Sequence, residues 1–177
     1  MRIIDTDIPE VKRVALTAHR DARGFFVERY TPALDGFGPF VQDNHSRSVP
    51  GVIRGMHFQF DRPQGKLVGV TRGRILDVAL DVRPHSKTFG QHVAAELAPD
   101  TELLWVPPGF AHGFCVLGDE AADVVYKLTA PYNAAGEGGV RYDRIDWPTK
   151  NPILSARDRQ LPALADAAAQ LNEWFPA

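Results

Sequence analysis

Cysteine is almost absent from this chain of 177 residues: Cys115 stands alone, which rules out an intrachain disulfide framework and a zinc cage built only from thiolates. No apolar run approaches the length needed to span a bilayer. Nor is there an excess of charge of either sign. Twenty Lys and Arg against 22 Asp and Glu leave a formal charge of −2, without the basic footprint of a nucleic-acid binder or a polybasic run suited to an anionic membrane. The opening segment, Met1 to Arg13, alternates charged and apolar residues and lacks the apolar core of a signal peptide. Internal repeats and low-complexity tracts are missing too. What remains is an ordinary globular composition, 44% hydrophobic and 24% charged, in a chain long enough to bury roughly 70% of its unfolded surface in one core. The expectation is a soluble, cytoplasmic protein with a single domain over residues 1–177.

The 14 prolines and 15 glycines are spread along the chain instead of forming a linker. Between them lie short runs of period two, the mark of strands joined by turns. Lys66 to Thr71 is one run and Ile75 to Val82 another, with Arg72-Gly73 suited to a tight hairpin between them. In the second run Leu76, Val78, Leu80 and Val82 share one face, while Ile75, Asp77, Ala79 and Asp81 share the other. That second face suits a partly polar lumen; the plainer alternative is that its carboxylates meet solvent. Further strands are expected at Gly24–Tyr30, Val93–Leu97, Leu103–Val106 and Val124–Leu128. From Pro162 onward Leu164, Ala168, Leu171 and Phe175 recur at helical spacing. The pattern is that of an antiparallel all-β sandwich or barrel with a peripheral C-terminal helix.

Two histidine-bearing segments stand out: Gly51 to Gln59, containing His57, and Pro107 to Phe114, containing His112. With Gly73 their spacing resembles the two motifs of the cupin jelly-roll barrels, in which histidines and a glutamate hold a divalent metal. Here Gln59 replaces the second histidine and Lys66 the glutamate. An ammonium is no metal ligand and repels a dication, so only His57 and His112 remain and no metal is expected. A positive charge in an apolar pocket suits a different task, holding the negative charge that develops on a carbonyl oxygen when the neighbouring carbon loses a proton. His57 is then the natural base. Core histidines with no chemical task are the alternative.

A longer ordered set of segments carries a more specific resemblance. Asp21 to Glu28, Gln42 to Ser46, Val52 to Gln59, Gln64 to Val68, Asp77 to Arg83, Gly109 to Phe114, Tyr126-Lys127 and Trp147-Pro148 together resemble the dTDP-4-dehydrorhamnose 3,5-epimerase family of deoxysugar-nucleotide epimerases, over about Asp21 to Leu161. The resemblance implies a cupin-type jelly roll and epimerisation of a nucleotide-linked 4-keto-6-deoxyhexose at C3 and C5, with no cofactor. It implies His57 as base, Asp158 as its carboxylate partner, Tyr126 as the acid on the opposite face and Lys66 beside the C4 oxygen, with Asp77 supporting. Arg23, Glu28, Gln42, Asn44, Arg54, Gln59, His112 and Tyr132 match substrate-side positions; the plainer alternative for Gln42, Asn44 and Gln59 is satisfaction of turns and strand ladders. A homodimer with shared strands near the turn at Asp21 to Gly24 follows as well. The stretch after Tyr132 is shorter than in the family, which leaves open a single-centre epimerase or another nucleotide. A metal-dependent oxidoreductase and a non-catalytic sugar-nucleotide binder are the readings from other classes.

Overall fold

The structure is a computed structural model that describes residues 1–141 and 143–176; Tyr142 and Ala177 lie outside the described residues. In chain order the strands are β1 (Arg2–Asp5), β2 (Lys12–Ala15), β3 (Ala18–Asp21), β4 (Gly24–Val27), β5 (Gln42–Ser48), β6 (Ile53–Gln59), β7 (Lys66–Arg72), β8 (Arg74–Asp81), β9 (His92–Leu97), β10 (Glu102–Val106), β11 (Phe110–Leu117), β12 (Ala122–Leu128) and β13 (Glu137–Gly139). Two short helices follow, α1 (Ala156–Arg159) and α2 (Ala168–Trp174).

A six-stranded sheet runs in the order β1-β2-β10-β7-β12-β5, and a five-stranded sheet in the order β13-β6-β11-β8-β9. All pairings within them are antiparallel. The strands β3 and β4 pair only with each other, as a separate ribbon. The expected all-β jelly roll is therefore what forms. Its main core lies between the sheets, where Val68, Val70, Leu104 and Val124 of one meet Ile75, Ala79, Leu97 and Phe114 of the other. A second apolar layer covers the outer face of the five-stranded sheet, where Leu80, Val78 and Phe58 pack under Leu171 and Trp174. A third covers the six-stranded sheet, where Phe37 stacks on Trp105 at 4.8 Å between ring centroids.

The two faces of β8 divide as their alternation requires. Leu76, Val78 and Leu80 point outward beneath α2, and Ile75 and Ala79 point into the core between the sheets with Asp77 beside them. Asp81, on the same side, is fully buried and accepts hydrogen bonds from Arg83, Ser86 and Thr88, holding the following turn. Neither carboxylate meets solvent.

Three expectations need correction. Arg72-Gly73 is not a hairpin: β7 already lies between β10 and β12, and β8 between β11 and β9, so the dipeptide is a corner from one sheet to the other. Gly73 has φ +71°, and a Cβ there would stand 2.6 Å from the Ala121 carbonyl oxygen, so the corner needs glycine. The strand expected to reach Tyr30 ends at Val27, because the chain then turns to lay Arg29 against β7, donating from Nη1 to the Val70 carbonyl at 2.9 Å. The C-terminal helix begins at Ala168, not Pro162. Residues 162–164 are instead drawn alongside Arg141, whose N–H donates to the Pro162 carbonyl at 2.7 Å and whose carbonyl accepts from Leu164.

Leu171 is the fully buried anchor of α2. Leu171→Ala should lower unfolding free energy by about 3 kcal/mol through lost burial and the cavity left behind, measurable by denaturant titration.

Candidate active site

β6 and β11 run side by side with His57 directly opposite His112. The register shifts immediately after this pair, where Gly55 and Gly113 pack backbone to backbone; a Cβ on Gly55 would lie 2.5 Å from the Gly113 Cα. Each imidazole has its own carboxylate. His57 Nε2 is 2.7 Å from Asp158 Oδ1, and His112 Nε2 is 2.7 Å from Asp77 Oδ1.

Asp158 comes from far along the chain and is delivered by local backbone features. Ile153 bridges to β6, with its N–H donating to the Gly51 carbonyl at 2.9 Å and its carbonyl accepting from Ile53. Ser155 then caps α1, its hydroxyl accepting from the Asp158 N–H at 3.0 Å. The single helical turn leaves Asp158 buried against His57. Burial pushes the Asp158 carboxyl upward, but the hydrogen bond and charge of His57, with the Ser155 and Gly55 contacts, outweigh it and hold the group below its ordinary range. A carboxylate can only accept. His57 Nε2 is therefore the donor, and in the neutral ring the lone pair lies on Nδ1.

Both imidazoles and Asp158 border a cavity of about 510 Å³ between the sheets. Lys66, the first residue of β7, enters it from the six-stranded sheet and donates to the His57 carbonyl at 3.4 Å. Burial lowers the Lys66 pKa to about 8, against the opposing pull of Glu137 and Asp77. Tyr126, on β12 of the same sheet, also lines the cavity, and its hydroxyl bonds to no other described residue. Asn44, Arg54 and Tyr132 complete the expected residues found on the lining. Arg54 donates to the Ser48 hydroxyl at 2.9 Å.

Other expected residues lie elsewhere. Asp77 sits behind His112, outside the lining. Gln42 stands at the edge, donating to Asn44 and accepting from the Tyr132 N–H. Gln59 does not reach the cavity as a substrate contact: it is buried, and its amide is used on the Arg62, Pro131 and Asn133 backbone. Arg23 is on the β3–β4 ribbon, its side chain 90% exposed and paired with Asp21. Glu28 is exposed just beyond β4. Arg23 and Glu28 are thus not brought to this chain's own cavity.

Gln64, Glu137 and Arg157 are among the lining residues to which the sequence assigned no role. Gln64 donates to the Ala130 carbonyl at 2.8 Å. Glu137 pairs with Arg157 and accepts from the Tyr132 hydroxyl at 3.0 Å. Arg157 adjoins Asp158, and that adjacency is the one signal that could have found it; Glu137 lies in a glycine-rich stretch with no spacing to mark it. Among the described residues, no three His, Cys, Asp or Glu side chains come together as a metal cage, and no helix is long and apolar enough to cross a membrane.

Two facing antiparallel sheets enclosing a polar pocket make this a cupin-type jelly roll. Residues 5–166 match the sequence model of the family described as dTDP-4-dehydrorhamnose 3,5-epimerase. A relative of that name from Shigella flexneri is 43% identical over 169 residues, covering 89% of this chain and 93% of the relative. The crystal structure of dTDP-6-deoxy-D-glucose-3,5-epimerase from Legionella pneumophila, in complex with dTDP-4-keto-L-rhamnose, superposes with a TM-score of 0.90 at 41% identity and covers 96% of each chain. A 3'-monoepimerase from Streptomyces bikiniensis, in complex with dTDP-quinovose, superposes at 0.83 with 28% identity, covering 98% of this chain and 99% of that one. The chain belongs to the dTDP-4-dehydrorhamnose 3,5-epimerase family, and it is an isomerase.

The buried ammonium can be watched directly. In NMR of ¹³C-methylated lysines, the resonance lost in Lys66→Met should titrate near pH 8. Glu137→Gln should move that midpoint lower, since it removes a negative charge that favours the protonated amine.

Proposed function

We propose that this isomerase inverts both C3 and C5 of dTDP-4-keto-6-deoxyglucose, giving dTDP-4-dehydrorhamnose. The observation that carries the reading is that His57 and Tyr126 enter one cavity from facing sheets. Inversion next to a ketone needs that placement. A base removes the proton from one face, the electron pair of the broken C–H bond moves onto the C4 oxygen, and an acid returns a proton to the other face.

His57 Nδ1 is the base. Asp158 fixes the ring's orientation and stabilises the imidazolium formed, as carboxylates do in other His-Asp pairs. Lys66 stabilises the enolate oxygen with a charge that is strong in a desolvated site. The Tyr126 hydroxyl supplies the returning proton, and exchange with solvent restores both groups. His112, held by Asp77, together with Asn44, Arg54 and Tyr132, forms the substrate-side wall. The likeness to a 3'-monoepimerase gives the second reading, inversion of one carbon only.

In deuterated water, dTDP-4-keto-6-deoxyglucose should acquire deuterium at C3 and C5, located by NMR. Label at one carbon supports the single-centre reading, and label at neither overturns both. Lys66→Met should slow exchange roughly a hundredfold or more, as loss of an oxyanion donor does.

The ribbon bears on assembly. Phe26 is 64% exposed and Phe25 51%, β3 and β4 have no partner in either sheet, and β5 presents a free edge. We infer a homodimer in which the ribbon meets a second copy, where Arg23 and Glu28 would serve the partner's cavity. Light scattering should give twice the chain mass, falling to one chain mass in Phe26→Asp; a monomeric wild type would refute it.

A further inference from the structure

We infer that Gln59 is a positioning residue that acts through Tyr132, fixing the loop that carries this tyrosine at the cavity mouth. Gln59 ends β6 two residues beyond His57, on the same side of the strand. It is only 3% exposed. A buried amide is costly unless its groups are bonded, and here each of them is. Oε1 accepts from the Asn133 N–H at 2.8 Å, while Nε2 donates to the Pro131 carbonyl at 3.2 Å and to the Arg62 carbonyl at 2.9 Å.

Tyr132 lies between the two loop residues that Gln59 holds. Its own N–H donates to Gln42 Oε1 at 3.0 Å, so the backbone of three consecutive residues is tied to glutamines from both sheets. The phenol is tied as well: its hydroxyl donates to Glu137, which stands directly across from Gln59 in the pairing of β6 with β13. A half-exposed aromatic on a loop would otherwise sample several rotamers. The amide of Gln59 thus has no free donor for a sugar, and its influence on substrate passes through the tyrosine. This rests on the reading of Tyr132 as a substrate-side residue.

The chain has four tyrosines, few enough to follow by ¹⁹F NMR after 3-fluorotyrosine labelling, with Tyr126→Phe and Tyr132→Phe assigning the two resonances. Gln59→Met should shift or broaden the Tyr132 resonance and leave that of Tyr126 in place. It should also lower kcat/KM for dTDP-4-keto-6-deoxyglucose about tenfold, mainly through KM, as expected for lost buried hydrogen bonds. In a Tyr132→Ala background the same substitution should cost nothing further. A Tyr132 resonance that stays in place, one that moves together with Tyr126, or losses that multiply in the double variant would overturn the inference. Should Gln59→Met fail to fold, Gln59→Glu keeps the acceptor toward Asn133, loses both donors and is read the same way. A wild-type protein without turnover would sink the proposed reaction, while the resonances would still decide the positioning.

Discussion

The hydrogen bond between His57 and Asp158 joins parts of the chain 101 residues apart, and much of the architecture is arranged around making it. On one side, β6 must hold His57 at a fixed depth, which it does by pairing with β11 through the close approach of Gly55 and Gly113. On the other, a segment with little regular structure must deliver a carboxylate to the same point. It succeeds because Ile153 is stitched to the start of β6 and Ser155 starts a single helical turn. Beyond α1, the bridge from Ala163 to Arg141 and the packing of α2 on the five-stranded sheet keep that segment from lifting away.

A second constraint is the balance of charge inside the barrel. Two aspartates, a lysine and a glutamate share the space between the sheets, and none is paired as a simple ion pair with another of the four. The aspartates instead serve imidazoles, Glu137 serves Arg157 and Tyr132, and Lys66 donates only to a backbone carbonyl. Desolvation outweighs the opposing pull of Glu137 and Asp77, neither of which bonds to the ammonium, and lowers the Lys66 pKa to about 8. A charge kept free in this way suits the role proposed for Lys66, toward an oxygen that becomes negative only during reaction.

The period-two runs exposed β7, β8, β9, β10 and β12 of the two sheets but not their other six strands. The β8 pattern divided its residues correctly between two faces while leaving open whether the carboxylates met lumen or solvent. Pairing was less legible. Arg72-Gly73 has the chemistry of a hairpin turn, and only the occupied edges of both flanking strands make it a corner. The helix start was hidden for a similar reason, since Arg141 competes for the backbone of residues 162–164 and nothing near Pro162 announces it. Within the pocket, His57 and His112 were readable because they keep the places of a spaced motif, and Lys66 because it departs from one. Gln59 illustrates the limit. Its position in the motif pointed toward the ligand, whereas its amide is consumed by a loop more than seventy residues away along the chain, a contact that periodicity does not encode.

The place of each carboxylate along the chain has a further consequence, for what a shortened chain would keep. Residues up to Leu128 carry β1 to β12, with His57, Lys66, Tyr126 and the complete His112–Asp77 pair. Glu137 and Asp158 both lie beyond that point. A chain cut after Leu128 would retain one imidazole with its carboxylate, while the other imidazole and Lys66 would lose the acidic groups set near them. The two histidine–aspartate pairs are thus separable: one is contained in β8 and β11, and the other depends on the segment that closes over the five-stranded sheet.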